Sequence, residues 1–507
     1  MKPAYHGPPM SLPDTSKLTS LPDSAWRALG ARLRSIDVTT AGTAPHLATA
    51  GNVHPLMRKA VVRWHLRRAE GLVPLALRML VYGDPIKEDD ARAVLGDVPL
   101  TPLVDAGFLT RSDAGFASAF SVGVLDDQYL VYDDLRSFRD AVMGLSDGTV
   151  TLARAALPGD NVGAALDLGC GSGTVAFVLA RRAARVIATD VNPRAIELAR
   201  VGVAMNGLQN VELRLGDLFE PVAADRFDVI ASQPPFVGRP PDAPDATFLY
   251  GGSVGDELSA RLLGDLPGRL SATGRAVLLI AWPLGPERSL AQRISRAINS
   301  DELDVAVLQA PPTPIDEHCA EYAAASLGRS DEVVDDRFSA QRDHFDRAGV
   351  EALSVTLTVL QPARRRPGSV VTIPSAKIIG SDVTSADITA MFTARAIASD
   401  PQQLARATLR VPSDTVFAEE RTGLDDEDAT ALFVRFPGAS PKAGARVPGE
   451  LLKVVSYVHL APTVRDGLYQ IADDEGAPRE AAIQKLLPIV RDALLRGVLT
   501  PAAADPA

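Results

Sequence analysis

The spacing of hydrophobic residues changes once along this chain, at about residue 163. Before that point, apolar residues recur every three to four positions, as in residues 60–66 and 73–80, and this period predicts amphipathic helices. After it, short apolar runs rich in β-branched residues alternate with helical segments such as 174–181 and 193–206. Strands that alternate with helices predict an α/β fold, with a parallel sheet covered by helices on both faces.

Seven apolar runs are predicted as strands of one doubly wound, mostly parallel sheet: residues 164–168, 184–189, 211–215, 227–231, 276–281, 303–308 and 354–360. The acidic segment 311–349 is long enough to be an insertion near the active-site edge of this sheet. Three domains follow from these patterns: a helical N-terminal domain at 1–145, the sheet domain at 146–365, and an α+β C-terminal domain at 366–507. The order helix, helix, hairpin over residues 87–131 resembles a winged helix, and the end of the C-terminal domain has a similar order.

Composition narrows the class of protein. With 46% hydrophobic and 23% charged residues, the 507-residue chain is typical of a soluble globular protein, which we expect to be cytoplasmic. The net charge of −11 argues against nucleic-acid binding over the whole surface, although a local basic patch remains compatible with it. Two cysteines exclude a disulfide framework and a cysteine-based zinc site, and the histidines lack metal-ligand spacing, so no metal is predicted. The longest apolar run, near 276–283, is too short to span a membrane.

One segment of the N-terminal domain concentrates positive charge. Residues 23–78 contain nine Arg or Lys residues against three acidic residues, and Trp64 lies within the densest part, 58–68. Such a helix either faces RNA, with an aromatic residue among the basic ones, or covers an apolar stripe with arginine stems while its charges stay in water. The sequence favours the second interpretation but leaves both open.

A glycine-rich turn follows the first predicted strand. Asp167 ends the strand, and Gly169, Gly171 and Gly173 follow at alternate positions before a helix. Glycines there permit positive φ and a close approach of ligand to backbone. Seventeen residues after Gly173, Asp190 ends the next strand, where a carboxylate can accept hydrogen bonds from ribose hydroxyls.

The spacing of these glycines separates two cofactors that use such a turn. A nicotinamide site would need its third glycine at position 174, which is Thr174. The observed pattern favours S-adenosylmethionine, which needs room for a sulfonium, an amino group and a carboxylate. The alternative is a tight strand–helix turn without a ligand.

Asp217 and Leu218 follow the third predicted strand. The carboxylate of Asp217 can accept a hydrogen bond from an adenine amino group while Leu218 gives apolar contact. Alternatively, Asp217 caps the next turn, as aspartate often does. The pattern at this position alone does not decide between the two.

The turn after the fourth predicted strand is Gln233-Pro234-Pro235-Phe236. Two prolines fix the backbone and remove two donors, so free carbonyls can point at a bound acceptor group. Gln233 adds an amide oxygen, and Phe236 can cover a planar nitrogen. This arrangement predicts the acceptor side of a methyl-transfer site; the alternative is a rigid proline turn with a core phenylalanine.

Together these motifs, with 205–208 and the later segment 248–257, resemble class I S-adenosylmethionine-dependent methyltransferases. Within that class they are similar to the small-domain group that includes protein-glutamine and ribosomal-RNA guanine N-methyltransferases. The resemblance covers about residues 146–365. It implies N-methylation of an amide or exocyclic amine, with S-adenosylhomocysteine as product.

The chain departs from that group at one position, where Gln233 stands in place of an asparagine. Glutamine is one methylene longer, so its oxygen cannot occupy the same place, and the methylated atom is left open. Flanking domains favour a large acceptor, protein or RNA. The alternatives are a tailoring methyltransferase acting on a peptide or secondary metabolite, an S-adenosylmethionine-binding interaction protein without turnover and, more remotely, a nucleotide-dependent oxidoreductase.

Overall fold

The computed structural model describes residues 12–51, 55–133, 140–241, 243, 247–286, 290–324, 331–363, 368–421, 430–436, 440, 442 and 444–502. The predicted domain boundary at 365/366 lies outside these residues, and so do 503–507 of the predicted C-terminal domain and residues 1–11 of the N-terminal one. Among the described helices, none combines the length and apolar character needed to cross a membrane.

In the described part of the N-terminal region, six α-helices precede two antiparallel hairpins. They are α1 (Asp23–Ser35), α2 (Thr40–Leu47), α3 (Pro55–Leu66), α4 (Leu72–Ala76), α5 (Glu88–Leu95), α6 (Leu100–Asp105), β1 (Leu109–Ser112), β2 (Gly115–Ser118), β3 (Ser121–Leu125) and β4 (Gln128–Tyr132). The order α5, α6, hairpin agrees with the helix and strand pattern expected from sequence; the winged-helix resemblance and the boundary at residue 145 remain predictions.

The central region contains the predicted sheet. Its elements are α7 (Asp147–Ala156), β5 (Val162–Leu168), α8 (Thr174–Leu179), β6 (Ala183–Asp190), α9 (Pro193–Asn206), β7 (Val211–Leu215), β8 (Phe227–Ser232), β9 (Val237–Gly238), β10 (Tyr250–Gly252), α10 (Glu257–Asp265), β11 (Leu270–Leu284), α11 (Leu290–Ile298), β12 (Leu303–Gln309), β13 (Thr313–Pro314), α12 (Ile315–Ala324), α13 (Asp331–Arg347), β14 (Ala352–Pro362) and β15 (Val370–Pro374).

The strand order is β15-β12-β14-β11-β8-β5-β6-β7, with β13 paired to β14. All seven predicted strands are present. The mostly parallel α/β sheet is confirmed, since every antiparallel pair among its described strands includes β14. Two strands were not predicted: the short β13, and β15, which the sequence placed in the C-terminal domain but which extends the sheet beside β12.

Alternate residues of each strand enter separate cores on the two faces of the sheet. In β11, for example, Val277 and Leu279 belong to one buried cluster, while Leu278 and Ile280 belong to the other. Such alternation follows from the two-residue period of a strand, and burial of both faces requires the nearly continuous apolar runs seen in the sequence. The first cluster contains α8, and the second contains α10 and α11.

Helix α9 joins the N-terminal region to the sheet. Leu198 and Met205 of α9 share one buried cluster with Trp26 of α1 and Phe108. Asn192 caps the start of α9 by accepting from the Arg194 amide, and Gly207 ends it in the left-handed conformation. The start of α9, just after β6, is therefore held by the N-terminal region as well as by the sheet.

The C-terminal region has mixed α and β elements, as predicted. They are α14 (Ser385–Ala398), α15 (Pro401–Arg406), β16 (Leu409–Arg410), β17 (Val416–Arg421), β18 (Thr430–Arg435), β19 (Ala445–Val447), α16 (Gly449–Leu460), α17 (Val464–Glu475), α18 (Arg479–Leu495) and β20 (Thr500–Pro501). The last three helices pack in one core, and β20 closes on β16. Helix α14 also contributes Ile388 and Phe392 to the core on one face of the central sheet.

Candidate active site

The carboxyl ends of β5, β6, β7 and β8 surround a cavity of about 420 Å³. These four strands are adjacent and parallel. The chain order reverses between β8 and β5, and in open α/β sheets ligands bind outside the carboxyl ends at such a switch point. Ser232 links the carboxyl ends of β8 and β5 at this point, because its buried hydroxyl donates to the Leu168 carbonyl at 2.7 Å.

Ten of the eleven residues predicted for the site line this cavity; they are Asp167, Gly169, Gly171, Asp190, Asp217, Leu218, Gln233, Pro234, Pro235 and Phe236. Gly173 does not. It starts α8 with a φ of 86°, and a Cβ there would lie 2.7 Å from the ring of Phe177. Glycine at 173 is therefore required by packing and backbone conformation, and its predicted contact with a cofactor is not supported by its position.

Gly169 and Gly171 are the two glycines of the turn that face the cavity. Both have left-handed φ values, 78° and 52°, which disfavour any residue with a side chain. A Cβ added at either position would meet no heavy atom within 4 Å, so it would project into open space. The turn thus leaves a cradle that side chains would fill.

Asp190 lies at the end of β6 and accepts from the backbone N–H groups of Gly171, at 2.8 Å, and Asn192, at 2.9 Å. One bond goes to each carboxylate oxygen. Because an ionised carboxylate offers about four acceptor sites, Asp190 keeps acceptor capacity for a ligand such as a ribose diol. Burial raises the pKa of Asp190, and these backbone bonds oppose that shift.

Asp167 is the more deeply buried carboxylate, with 2% exposure. Burial raises its pKa to about 7; a bond from the Ala176 amide opposes the rise, and the nearby Asp190 charge adds to it. A cationic group in the cavity would reverse this effect by favouring the ionised form. The site therefore suits a ligand that carries positive charge next to Asp167.

Asp217 and Leu218 line the next part of the cavity wall, after β7. Arg261 of α10, which sequence reasoning missed, donates to Asp217 at 2.5 Å. Leu218 has a left-handed φ of 44°, a strained conformation for a residue with a side chain. The strain is located where the backbone turns toward the cavity.

The Gln233-Pro234-Pro235-Phe236 turn forms the facing wall. Its amide side chain is held from α7: the Thr149 hydroxyl donates to Gln233 Oε1 at 3.2 Å. Thr149 also lies 2.8 Å from the hydroxyl of Ser146, the residue that caps α7. Sequence reasoning missed both residues, although a serine directly before an apolar helical pattern, as Ser146 is before α7, is a capping signal.

The segment that follows this turn folds back alongside it. Strand β9 pairs with β10, and glycines make the close approach possible, because a Cβ at Gly251 would lie 2.3 Å from the Pro235 carbonyl oxygen. The Glu257 carboxylate accepts from the backbone amides of Val254 and Gly255, each at 3.0 Å. Segment 248–257 is therefore a support for the turn.

The predicted insertion is the helical hairpin α12–α13, which contacts this support. Gln341, fully buried, donates to the Gly238 carbonyl at 2.9 Å, and His344 is 2.7 Å from the Ser253 carbonyl. The hydroxyls of Tyr250 and Tyr322 are also hydrogen-bonded. The helical hairpin thus packs behind the Gln233–Phe236 turn, and its position at an active-site edge stays a prediction.

Basic residues of segment 58–68 make contacts within the protein. Arg63 and Arg67 both pair with Asp84, whose side chain is 3% exposed. Arg68 stacks over the exposed ring of Trp64, with 3.8 Å from its guanidinium carbon to the ring centroid. Two of the predicted cations therefore neutralise a buried acid, which favours the structural interpretation over an RNA-binding one.

The segment that forms most of this cavity is similar to a known protein family. Residues 143–246 match the family described as methyltransferase small domain. The chain is 42% identical over 127 residues to the ribosomal protein uL3 glutamine methyltransferase of Bordetella pertussis, covering 23% of this chain and 43% of that protein. It is 40% identical over 80 residues to the release factor glutamine methyltransferase of Aliivibrio fischeri, covering 15% and 28%.

A third relative is the ribosomal RNA small subunit methyltransferase C of Alcanivorax borkumensis, 35% identical over 106 residues that cover 20% of this chain and 32% of that protein. The chain thus spans less than half the length of each of these relatives. The matched segment includes the glycine turn, the carboxylates of Asp167 and Asp190, and the proline turn of the cavity. Residues 143–246 of this chain are therefore similar to the methyltransferase small-domain family.

Proposed function

We propose that this protein is an S-adenosylmethionine-dependent methyltransferase that methylates an amide or exocyclic amine nitrogen of a macromolecule. One observation carries the proposal: a glycine cradle with one buried and one half-buried carboxylate lines the same cavity as a proline turn whose amide side chain is hydrogen-bonded to α7. The first half suits a nucleoside with a cationic tail, and the second suits a planar nitrogen.

On the cofactor side, Gly169 and Gly171 provide room for the ligand, since no atom occupies the space above them. Asp190 has acceptor capacity left for the ribose hydroxyls, and Asp167 favours the ammonium group. Asp217 and Leu218 are the proposed adenine contacts. When bound, S-adenosylmethionine supplies a methyl group activated by a sulfonium, and S-adenosylhomocysteine is the product.

On the acceptor side, the backbone carbonyls freed by Pro234 and Pro235 and the Gln233 amide oxygen accept from the acceptor N–H groups, so that its lone pair faces the methyl carbon. Phe236 covers the planar acceptor. Because the methyl group is already activated, these residues act by orienting the nitrogen rather than by removing a proton before transfer.

The acceptor class follows from the relatives and from the rest of the chain. The three relatives are named for glutamine methylation of a ribosomal protein, glutamine methylation of a release factor, and methylation of ribosomal RNA. The N-terminal and C-terminal regions both pack against the proposed catalytic domain, and such flanking regions favour a large acceptor, protein or RNA. We infer that the reaction takes place in the cytoplasm.

The proposal is tested by incubating the enzyme with methyl-labelled S-adenosylmethionine and extract from a strain that lacks it, then separating protein, RNA and small molecules. Label in protein or RNA is expected. Label only in small molecules would replace the macromolecular acceptor with a tailoring reaction. Calorimetric binding of S-adenosylhomocysteine without label in any fraction would instead indicate a binding protein without turnover.

A further inference from the structure

We propose that Thr149, with Ser146, is a positioning residue that fixes which end of the Gln233 amide faces the methyl acceptor. This inference rests on the proposed function, because it concerns the acceptor half of the same cavity. Thr149 itself lines the cavity, although it is separated from Gln233 by 84 positions in the chain.

The direction of the hydrogen bonds is set at the start of α7. The Thr149 amide donates to Ser146 Oγ at 3.1 Å, as expected where serine caps a helix. The two hydroxyls lie 2.8 Å apart. Thr149 has a single hydroxyl proton and donates it to Gln233 Oε1, 3.2 Å away, so Ser146 is the donor of the bond between the two hydroxyls. The cap of the helix therefore orients the amide oxygen toward α7.

The nitrogen end of the same amide is also restricted. A Cβ at Gly148 would lie 3.3 Å from Gln233 Nε2, so glycine at 148 leaves only the space that this group needs. Gly148 is buried against Leu279 of β11, so this wall belongs to the rigid sheet domain. The hydrogen bond from Thr149 to the oxygen end favours this orientation of the amide over the one with oxygen and nitrogen exchanged.

Orientation matters because the two ends have opposite hydrogen-bonding character. The oxygen accepts and the nitrogen donates. With one lone pair used by Thr149, Oε1 keeps a second for an acceptor N–H. Glutamine has one more rotatable bond than the asparagine of the resembling group, and holding it from α7 restores the fixed geometry that a shorter side chain has by itself.

Position 151 gives a matched control in the same helix. Thr151 is buried, donates to the Asp147 carbonyl at 2.8 Å and accepts from the Gly380 amide at 2.9 Å, and does not line the cavity. Thr149→Val and Thr151→Val make the same change, hydroxyl to methyl, at sites that differ in contact with Gln233. Thr149→Ser keeps the hydroxyl.

The first readout needs no acceptor. In protein labelled with ¹⁵N-glutamine, the side-chain amide signals lost in Gln233→Ala belong to Gln233. These signals are expected to shift in Thr149→Val, to stay in place in Thr151→Val, and to return toward the wild-type position in Thr149→Ser. Unchanged Gln233 signals in Thr149→Val would overturn the inference.

The second readout is methyl transfer to the labelled extract fraction. Thr149→Val is expected to lower kcat by about 10²-fold, the effect of misplacing a reacting group by about 1 Å, with unchanged affinity for S-adenosylhomocysteine. Full activity of Thr149→Val would also overturn the inference. If wild-type protein transfers no methyl group while Thr149→Val still moves the Gln233 signals, the proposed function fails and the positioning role stands.

Discussion

The two halves of the cavity are built in different ways. The proposed cofactor half consists of backbone and two carboxylates from β5 and β6, and its bonds are mostly to nearby backbone, such as Gly171 and Asn192 with Asp190. The proposed acceptor half is a short turn held by side chains from elsewhere: Thr149 from α7 and, one layer behind, Gln341 from α13.

Because of this difference, a substitution has a different consequence in each half of the cavity. A cradle of left-handed glycines is defined by backbone conformation, so a substitution there changes the shape of the site itself. A turn held by distant hydroxyls and amides keeps its backbone when one contact changes, while the orientation of its functional groups shifts. We therefore expect cofactor-side variants to lose binding and acceptor-side variants to lose turnover.

The largest expected effect is from Gly171→Val. Its side chain would project into the open space of the cradle and be strained at a φ of 52°, so calorimetry should detect no S-adenosylhomocysteine binding. Gly173→Ala is the matched control: its Cβ meets Phe177 rather than the cavity, so it should lower Tm more than affinity. Normal affinity in Gly171→Val would place the cofactor elsewhere.

The contrast also explains which parts of the fold and of the candidate site could be predicted from the sequence. The seven strands, the glycine turn and the order of the strand-end motifs are contiguous patterns, and contiguous patterns report local conformation. Arg261 lies 44 positions from Asp217, and Gln341 lies 103 positions from Gly238. Contacts over such separations depend on the packed fold, which a single sequence does not specify residue by residue.

Gly173 and β15 show the same physical limit of a single sequence. Gly173 matched a cofactor motif, but it is required by the ring of Phe177, and a motif cannot separate those causes. Strand β15 looked like the start of another domain because only its pairing with β12 shows that it extends the sheet. The charge density of α3 was visible in the sequence, whereas its neutralisation by Asp84 was not.

Phe236→Ala tests the acceptor half. We expect kcat to fall by about 10²-fold with nearly unchanged cofactor affinity, because the ring orients the acceptor and does not belong to the cradle. Gln233→Ala should behave similarly, with loss of one hydrogen bond worth about 1–3 kcal/mol. Single-turnover rates and calorimetry measure the two quantities separately.

Gln233→Asn sharpens that test. Rescue or improvement relative to Gln233→Ala would indicate an acceptor bound as in the resembling asparagine-containing group, and inactivity would indicate an acceptor of different depth or shape. If the alanine variants lose cofactor binding instead of turnover, the division of the cavity into two halves is wrong.

Asp190→Ala should weaken S-adenosylhomocysteine binding by about 1–3 kcal/mol, through loss of a charged acceptor to the ribose. Its carboxylate also holds the Gly171 amide, so Asp190→Asn, which keeps an acceptor oxygen for that amide, is the control. A calorimetric affinity equal to wild type in Asp190→Ala would mean that the ribose is held elsewhere.

Asp167 predicts a pH dependence of cofactor affinity. Burial raises its pKa to about 7, so below that pH the cationic ligand must displace a proton, and affinity should fall by about tenfold per pH unit. Above that pH the carboxylate is already ionised, and affinity should be constant. Calorimetry from acidic to mildly basic pH measures this profile, and Asp167→Asn should flatten it; a flat wild-type profile contradicts the assignment.

The smallest effect is expected from charge reversal in the basic segment 58–68, which spans α3 and the two arginines after it. Arg63 and Arg67 are unsuitable targets, because breaking their pairs with buried Asp84 would cost about 3–5 kcal/mol and would confuse binding with folding. Arg58→Glu with Arg68→Glu alters exposed cations instead. Since the net charge is −11 and two cations of the cluster are already paired, we expect less than a twofold change in KM for the labelled fraction and an unchanged salt dependence. A steep rise in KM, with a salt slope reduced by about one for each charge removed, would show instead that α3 contacts RNA phosphates.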